Sequence, residues 1–172
     1  MNLRQPIWPR LLPEKAVVAI ATLGPLGRRL PAPGTWGSLA GLLYFTIFFH
    51  ALNTAWLLVA SAVGLYLSVG LCGEAAYRMR RRDPGEVVLD EFMAMPLCFL
   101  GWRELAAQGW PDWGIFLAGF AVFRLYDILK PLGIRRLQDW PGGWGIVVDD
   151  AAAALATSLT LHLGAWAWAV LR

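Results

Sequence analysis

The sequence predicts an all-α membrane protein, a polytopic bundle of four to five transmembrane or membrane-embedded helices. Three observations carry that expectation. Hydrophobic residues make up 58% of the 172 positions and charged residues only 16%, against roughly 45–50% and about 25% in an average soluble domain. Ten residues are tryptophan, which collects at membrane–water interfaces. No formally charged residue lies between Arg29 and Glu74, a stretch long enough for two spans of about 20 residues each. This composition excludes a disordered chain. The net charge of +3 is too mild to indicate nucleic acid as a partner.

The elements follow in order within a single domain. Residues 1–36 read as a cytoplasmic N-terminal segment ending in a Pro-Gly loop, and residues 37–172 as the helix bundle. The apolar run 16–26 is not read as a cleaved signal peptide, because Gly24 and Pro25 break it and Arg28 and Arg29 follow. Helices are expected over 37–49 and 54–73, separated by a turn at His50-Ala51-Leu52-Asn53-Thr54. The first is short unless it begins inside the Pro-Gly loop. Asp83-Pro84-Gly85 marks the next turn. Residues 87–102 are apolar apart from Asp90 and Glu91, and Pro96 predicts a kink or break there. That segment decides between four spans and five. A helix over 113–132 is closed by Pro131 and Gly133. A loop centred on Pro141-Gly142-Gly143 then leads to a last helix over 146–171. Cys72 and Cys98 lie in apolar stretches without neighbouring ligands, so they read as buried packing residues.

Basic residues orient the chain. With the N-terminus in the cytoplasm, Arg4, Arg10, Lys15, Arg28 and Arg29 fall inside, as do Arg78, Arg80, Arg81, Arg82, Arg124, Lys130, Arg135 and Arg136. Of the 15 Lys and Arg, only Arg103 and Arg172 fall outside, in agreement with the positive-inside rule. Trp102, Trp110, Trp113, Trp166 and Trp168 then gather at the outer interface, and Trp36, Trp140 and Trp144 at the inner one.

This topology was not built from the acidic residues, yet it gathers them. Asp90 and Glu91, Asp127, and Asp149 and Asp150 lie at the inner ends of three different helices. Carboxylates at the edge of hydrocarbon need partners or water, and clustered ones repel unless they share protons or a cation. Mg²⁺ takes oxygen ligands from carboxylates while contacting substrate phosphate. With Arg124 and Lys130 spaced three residues either side of Asp127, the cluster points to metal-assisted phosphate chemistry. Each element also has a plain structural reading. Asp149 and Asp150 suit either a helix-start cap or a ligand pair. Asp127 suits an ion pair with Arg124 or Lys130, and Thr35 or Ser38 suits an N-cap or a phosphate contact at a helix start. His50 and His162 lie away from the acids. The rivals are a small transporter or ion-path subunit, and a CDP-alcohol phosphotransferase. The outer helix halves carry no charge to continue an ion path, and the pattern D-x-x-D-G-x-x-A-R is missing.

Four motifs occur in order: Ala32-Pro33-Gly34-Thr35-Trp36-Gly37-Ser38, Val88-Leu89-Asp90-Glu91, Phe123-Arg124-Leu125-Tyr126-Asp127-Ile128-Leu129-Lys130-Pro131, and Gly142-Gly143-Trp144-Gly145-Ile146-Val147-Val148-Asp149-Asp150. From about Lys15 onward the chain resembles the phosphatidylglycerophosphatase A family. The resemblance implies a Mg²⁺-dependent phosphatase of the bacterial inner membrane. Such an enzyme converts the phospholipid phosphatidylglycerophosphate to phosphatidylglycerol and inorganic phosphate from the cytoplasmic face. Carried over by motif, Asp90, Glu91, Asp127, Asp149 and Asp150 are the metal-binding positions. Asp127, Asp150, Lys130 and Arg124 are the catalytic candidates, and Thr35, Ser38, Arg124 and Lys130 the substrate contacts. A phosphatase for another phosphorylated lipid is the remaining alternative.

Overall fold

The long apolar runs become antiparallel pillars, and the charged ends of those pillars meet on one side. The computed structural model describes residues 4–171, and it is helical with no strand among them. A 3₁₀ turn at Trp8–Leu11 precedes α1 (Glu14–Ala21) and α2 (Pro25–Arg29). Next come α3 (Pro33–Tyr44), α4 (Thr54–Arg78), α5 (Leu89–Ala94), α6 (Trp102–Ala107), α7 (Asp112–Leu129) and α8 (Gly143–Val170). α8 is central and packs against α4, α5 and α7.

Local chemistry sets these boundaries. Pro33 occupies the first turn of α3, where its missing N–H costs nothing. The helix therefore begins inside the Pro-Gly loop and runs on through a π turn at Phe45–Phe49. Asn53 caps α4 by accepting from the Trp56 N–H at 2.9 Å. Pro96 does break the third apolar segment: α5 gives way to a 3₁₀ stretch at Met95–Phe99, and Gly101 turns the chain into α6. α7 stops where Lys130 adopts a left-handed conformation (φ 46°) immediately before Pro131.

Two helices, α4 and α8, are long and apolar enough to cross a membrane, with mean hydropathies of 1.9 and 1.4. At 1.5 Å per residue they measure about 38 Å and 42 Å. α7 is 18 residues long but carries Asp112, Arg124 and Asp127. The outward faces of several helices are apolar too: Ile47, Phe48, Trp56, Leu159 and Trp166 are each at least 60% exposed. Large exposed apolar side chains on several helices suit a membrane-associated protein. The protein is thus an all-α, membrane-associated bundle.

Lipid tails are as apolar as leucine, so helix association in a membrane leans on close packing rather than on expelling water. Glycines provide that closeness. A Cβ on Gly143 would overlap the Val69 carbonyl of α4, so α8 touches α4 backbone to backbone. Toward the other end, Phe45 and Phe99 pack with ring centroids 4.5 Å apart, within a core that includes Met95, Phe123 and Trp102. His50 lies against Trp102 (4.6 Å) and Trp110 against Trp168 (6.1 Å). The expected outer tryptophan cluster therefore includes direct ring contacts, and Arg103 reaches the His50 carbonyl beside it. Arg172 lies outside the described residues.

The N-terminal segment is more ordered than its composition predicts. Val17 and Ala21 on α1 are fully buried against α4 and the start of α8. The Val88 N–H donates to the Ala21 carbonyl at 3.0 Å, which fixes the strand of chain leading into α5. Both cysteines are buried and free.

Candidate active site

Three helices deliver the acids. α5 places Asp90 and Glu91 in its first turn. α7 places Asp127 in its last. α8 begins at Gly143, so Asp149 and Asp150 sit beyond its first turn. The capping reading of that pair therefore fails, and both side chains point into the bundle with only 2% and 3% exposure. One carboxylate oxygen each from Asp90, Glu91 and Asp150 lie within 4.8 Å of one another.

Two cations close over this cluster. Arg124 Nη1 donates to Asp127 Oδ2 at 2.6 Å and to Ser38 Oγ at 3.2 Å, and lies 3.9 Å from Glu91 Oε1. Ser38, fully buried, donates its own hydroxyl hydrogen bond to the Gly34 carbonyl at 2.8 Å. Lys130 bonds the Asp149 carboxylate and lies 3.6 Å from Asp127 Oδ1. Asp127 thus links the two cations. The left-handed backbone of Lys130 swings its ammonium off the helix line and toward α8. Strain of this kind, in a residue other than glycine, concentrates at functional sites. Burial alone would lower the Lys130 pKa. The negative charge of Asp150, Asp149 and Asp127 outweighs it and holds the ammonium above the ordinary lysine value.

Five carboxylates face two cations, so negative charge is in excess. Asp90 Oδ1, Glu91 Oε2 and Asp149 Oδ1 are buried without a hydrogen-bond partner, which is costly unless something else satisfies them. Asp150 makes no side-chain hydrogen bond or ion pair among the described residues. Unsatisfied, convergent, hard oxygen donors fit a divalent cation held by Asp90, Glu91 and Asp150.

The expected site residues meet with one partial exception. Thr35 lies in the first turn of α3, half-buried, and its backbone N–H closes a turn on Ala32 at 2.9 Å. Its side chain makes no hydrogen bond. Thr35 and Ser38 are not N-caps, because Ala32 holds that position. Gly34 has a role that sequence reasoning missed. A Cβ there would collide with Glu91 Oε1 and stand 3.2 Å from Arg124 Nη1, so glycine lets α3 lie directly on that pair. The motif Pro33-Gly34 signalled a turn but not this contact. Also missed is a cavity of about 920 Å³ beside Lys130, with Arg81, Arg82, Arg135, Arg136 and Trp140 in its wall. In the sequence these arginines spoke only for topology.

An apolar-surfaced helical bundle that gathers carboxylates and cations at one end, with Lys130 lining an open cavity beside them, has the build of a membrane-associated enzyme acting on phosphate esters. The model of the family described as phosphatidylglycerophosphatase A matches residues 19–165, and the chain belongs to that family. It is 39% identical over 126 residues to phosphatidylglycerophosphatase A of Haemophilus influenzae, covering 73% of this chain and 74% of that one. It is 34% identical over 139 residues to phosphatidylglycerophosphatase A of Escherichia coli, covering 79% and 76%. A Bacteroides thetaiotaomicron protein provisionally named a phosphatidylinositol-3-phosphatase is 33% identical over 145 residues, covering 78% and 84%. No solved structure matches.

Proposed function

We propose that the protein hydrolyses the terminal phosphomonoester of phosphatidylglycerophosphate, yielding phosphatidylglycerol and inorganic phosphate. It does so as a multi-pass protein of a bacterial inner membrane with its site on the cytoplasmic side. The observation that carries this reading is the convergence of Asp90, Glu91 and Asp150 to within 4.8 Å beneath Arg124 and Lys130. The excess of basic residues at the same end supports the cytoplasmic orientation. The family supports the phosphatase reading over the transporter.

Mg²⁺ is the cation of choice for an all-oxygen donor set. Held by Asp90, Glu91 and Asp150, it would polarise the phosphoryl oxygens and lower the pKa of bound water. The remaining work falls to the chain. Arg124 and Lys130 bind the non-bridging phosphoryl oxygens and offset charge as the phosphoryl group transfers. Asp127 and Ser38 aim the Arg124 guanidinium, and Asp127 and Asp149 aim Lys130. Thr35, on the turn beside Gly34, contributes a hydroxyl to the phosphate. Water attacks phosphorus, its proton passes to a carboxylate of the cluster, and the bond from phosphorus to the glycerol oxygen breaks. The departing glycerol oxygen takes its proton from solvent.

The relative named for phosphatidylinositol 3-phosphate supplies a second reading, in which the same machinery meets a larger polyol head group. Phosphate release by purified protein in mixed micelles, compared between the two lipids, separates them. The proposal expects phosphatidylglycerophosphate to have the higher kcat/KM. A higher value for the inositol lipid would replace it.

A further inference from the structure

The cavity beside Lys130 has an electrostatic character that phosphoryl transfer at the carboxylate cluster does not explain. Its wall combines the 3₁₀ turn at Ile134–Asp139, the chain after α4 and the start of α8. Four arginines line it. Two are engaged: Arg81 with Glu86 at 2.7 Å, and Arg82 with the Gln138 carbonyl at 3.2 Å and Asp139 at 3.6 Å. The other two, Arg135 and Arg136, are exposed and have neither an ion pair nor a side-chain hydrogen bond among the described residues. Lys130 belongs to both places, lining the cavity while bonding Asp149 in the carboxylate cluster. A ligand whose phosphomonoester sits at the cluster therefore borders, through Lys130, the cavity that these two guanidinium groups line.

The proposed substrate carries a second anion in that part of the molecule. Phosphatidylglycerophosphate has a phosphodiester on the lipid side of its glycerol and the scissile phosphomonoester on the other. We infer that the cavity is a subsite for this phosphodiester, with Arg135 and Arg136 as its anion-binding residues, so that the enzyme selects lipids bearing two phosphates across a polyol. The inference rests on the reading of the carboxylate cluster as the phosphomonoester site. Guanidinium forks suit phosphate oxygens, and a contact to the non-reacting phosphate is made equally in ground and transition states. It therefore acts on KM rather than on kcat.

The test uses the full-length protein in detergent micelles and the double variant R135Q/R136Q, whose side chains are exposed and make no hydrogen bond or ion pair among the described residues. Two inhibitors divide the site. Short-chain phosphatidylglycerol keeps the phosphodiester and lacks the monoester, whereas inorganic phosphate stands for the monoester alone. The inference expects the variant to raise KM for phosphatidylglycerophosphate about tenfold or more and to weaken inhibition by phosphatidylglycerol to a similar degree. Its kcat and its inhibition by inorganic phosphate stay within about twofold. R135K/R136K recovers part of the loss, and R28Q/R29Q, which alters basic charge outside the cavity, stays near wild type. Unchanged KM and unchanged phosphatidylglycerol inhibition overturn the inference, as does an equal loss in R28Q/R29Q, which would make the effect one of general surface charge. Equilibrium binding of short-chain phosphatidylglycerol to wild type and variant reads the subsite without turnover. A wild type that releases no phosphate but binds phosphatidylglycerol through Arg135 and Arg136 would defeat the catalytic reading and leave the subsite standing. Failure of the variant to affect either measurement would defeat the subsite alone.

Discussion

The two ends of this bundle use the same helices for opposite purposes. At one end, Phe45, Phe99, Trp102 and Phe116 interlock with ring centroids between 4.5 and 6.4 Å apart. The orphaned polar atom among these rings is a single neutral donor, the buried Trp102 Nε1. At the other end, similarly buried positions hold Asp90, Asp127, Asp149 and Asp150, and three of the buried carboxylate oxygens are unsatisfied. One end is finished by its own packing, whereas the other needs a ligand to complete it. The difference teaches where stability and chemistry reside: α3, α7 and α8 are held by their aromatic ends and present their polar ends.

If that division is right, the two ends respond differently to substitution. The largest effect belongs to the carboxylates. Asp150→Asn or Asp90→Asn lowers kcat for phosphate release about a hundredfold or more, while the thermal unfolding midpoint stays level or rises, because an unpaired buried charge is removed. A stable, fully active Asp150→Asn protein would break the comparison. Phe45→Ala does the reverse: stability falls by about 3 kcal/mol, visible as a lowered unfolding midpoint, with kcat per folded molecule unchanged. Arg124→Lys keeps the charge but loses the Nη1 donor that reaches Asp127 and Ser38 together. It costs about tenfold in kcat/KM, and Arg124→Ala costs more. Smallest is Thr35→Ala, expected to raise KM about threefold with kcat unaffected. An effect as large as that of Asp150→Asn would put Thr35 in the chemistry itself.

Much of the polar end was legible in the sequence. Charge is so expensive in an apolar chain that each Asp or Glu flags itself, and basic residues sort the helix ends, so Asp90, Glu91, Asp127, Asp149 and Asp150 could be brought together without a structure. Long apolar runs likewise announced α4, α7 and α8. The hidden features depend on side chains meeting across distant elements. α1 buries Val17 and Ala21, but its sequence of eight residues lies among prolines and basic residues that read as loop. Asp149 looked equally like a cap until the structure started α8 at Gly143, which moved it beyond the first turn. The signal for that early start was present in Gly142-Gly143, where close approach to α4 demands glycine. Arg135 and Arg136 carried two messages in the same charge. Only the topological one could be read, since pairing is a property of neighbours.

Occupancy of the polar end by a divalent cation drives phosphate release under the proposed function. Its most direct measurement is the rate of release from phosphatidylglycerophosphate as Mg²⁺ is titrated into metal-stripped protein, for wild type and for Asp90→Asn. The account predicts no release from the stripped wild type, saturable restoration by Mg²⁺, and an activation curve in Asp90→Asn displaced to higher Mg²⁺ or abolished. Full release by the stripped protein, or the same Mg²⁺ dependence in the variant, would contradict it.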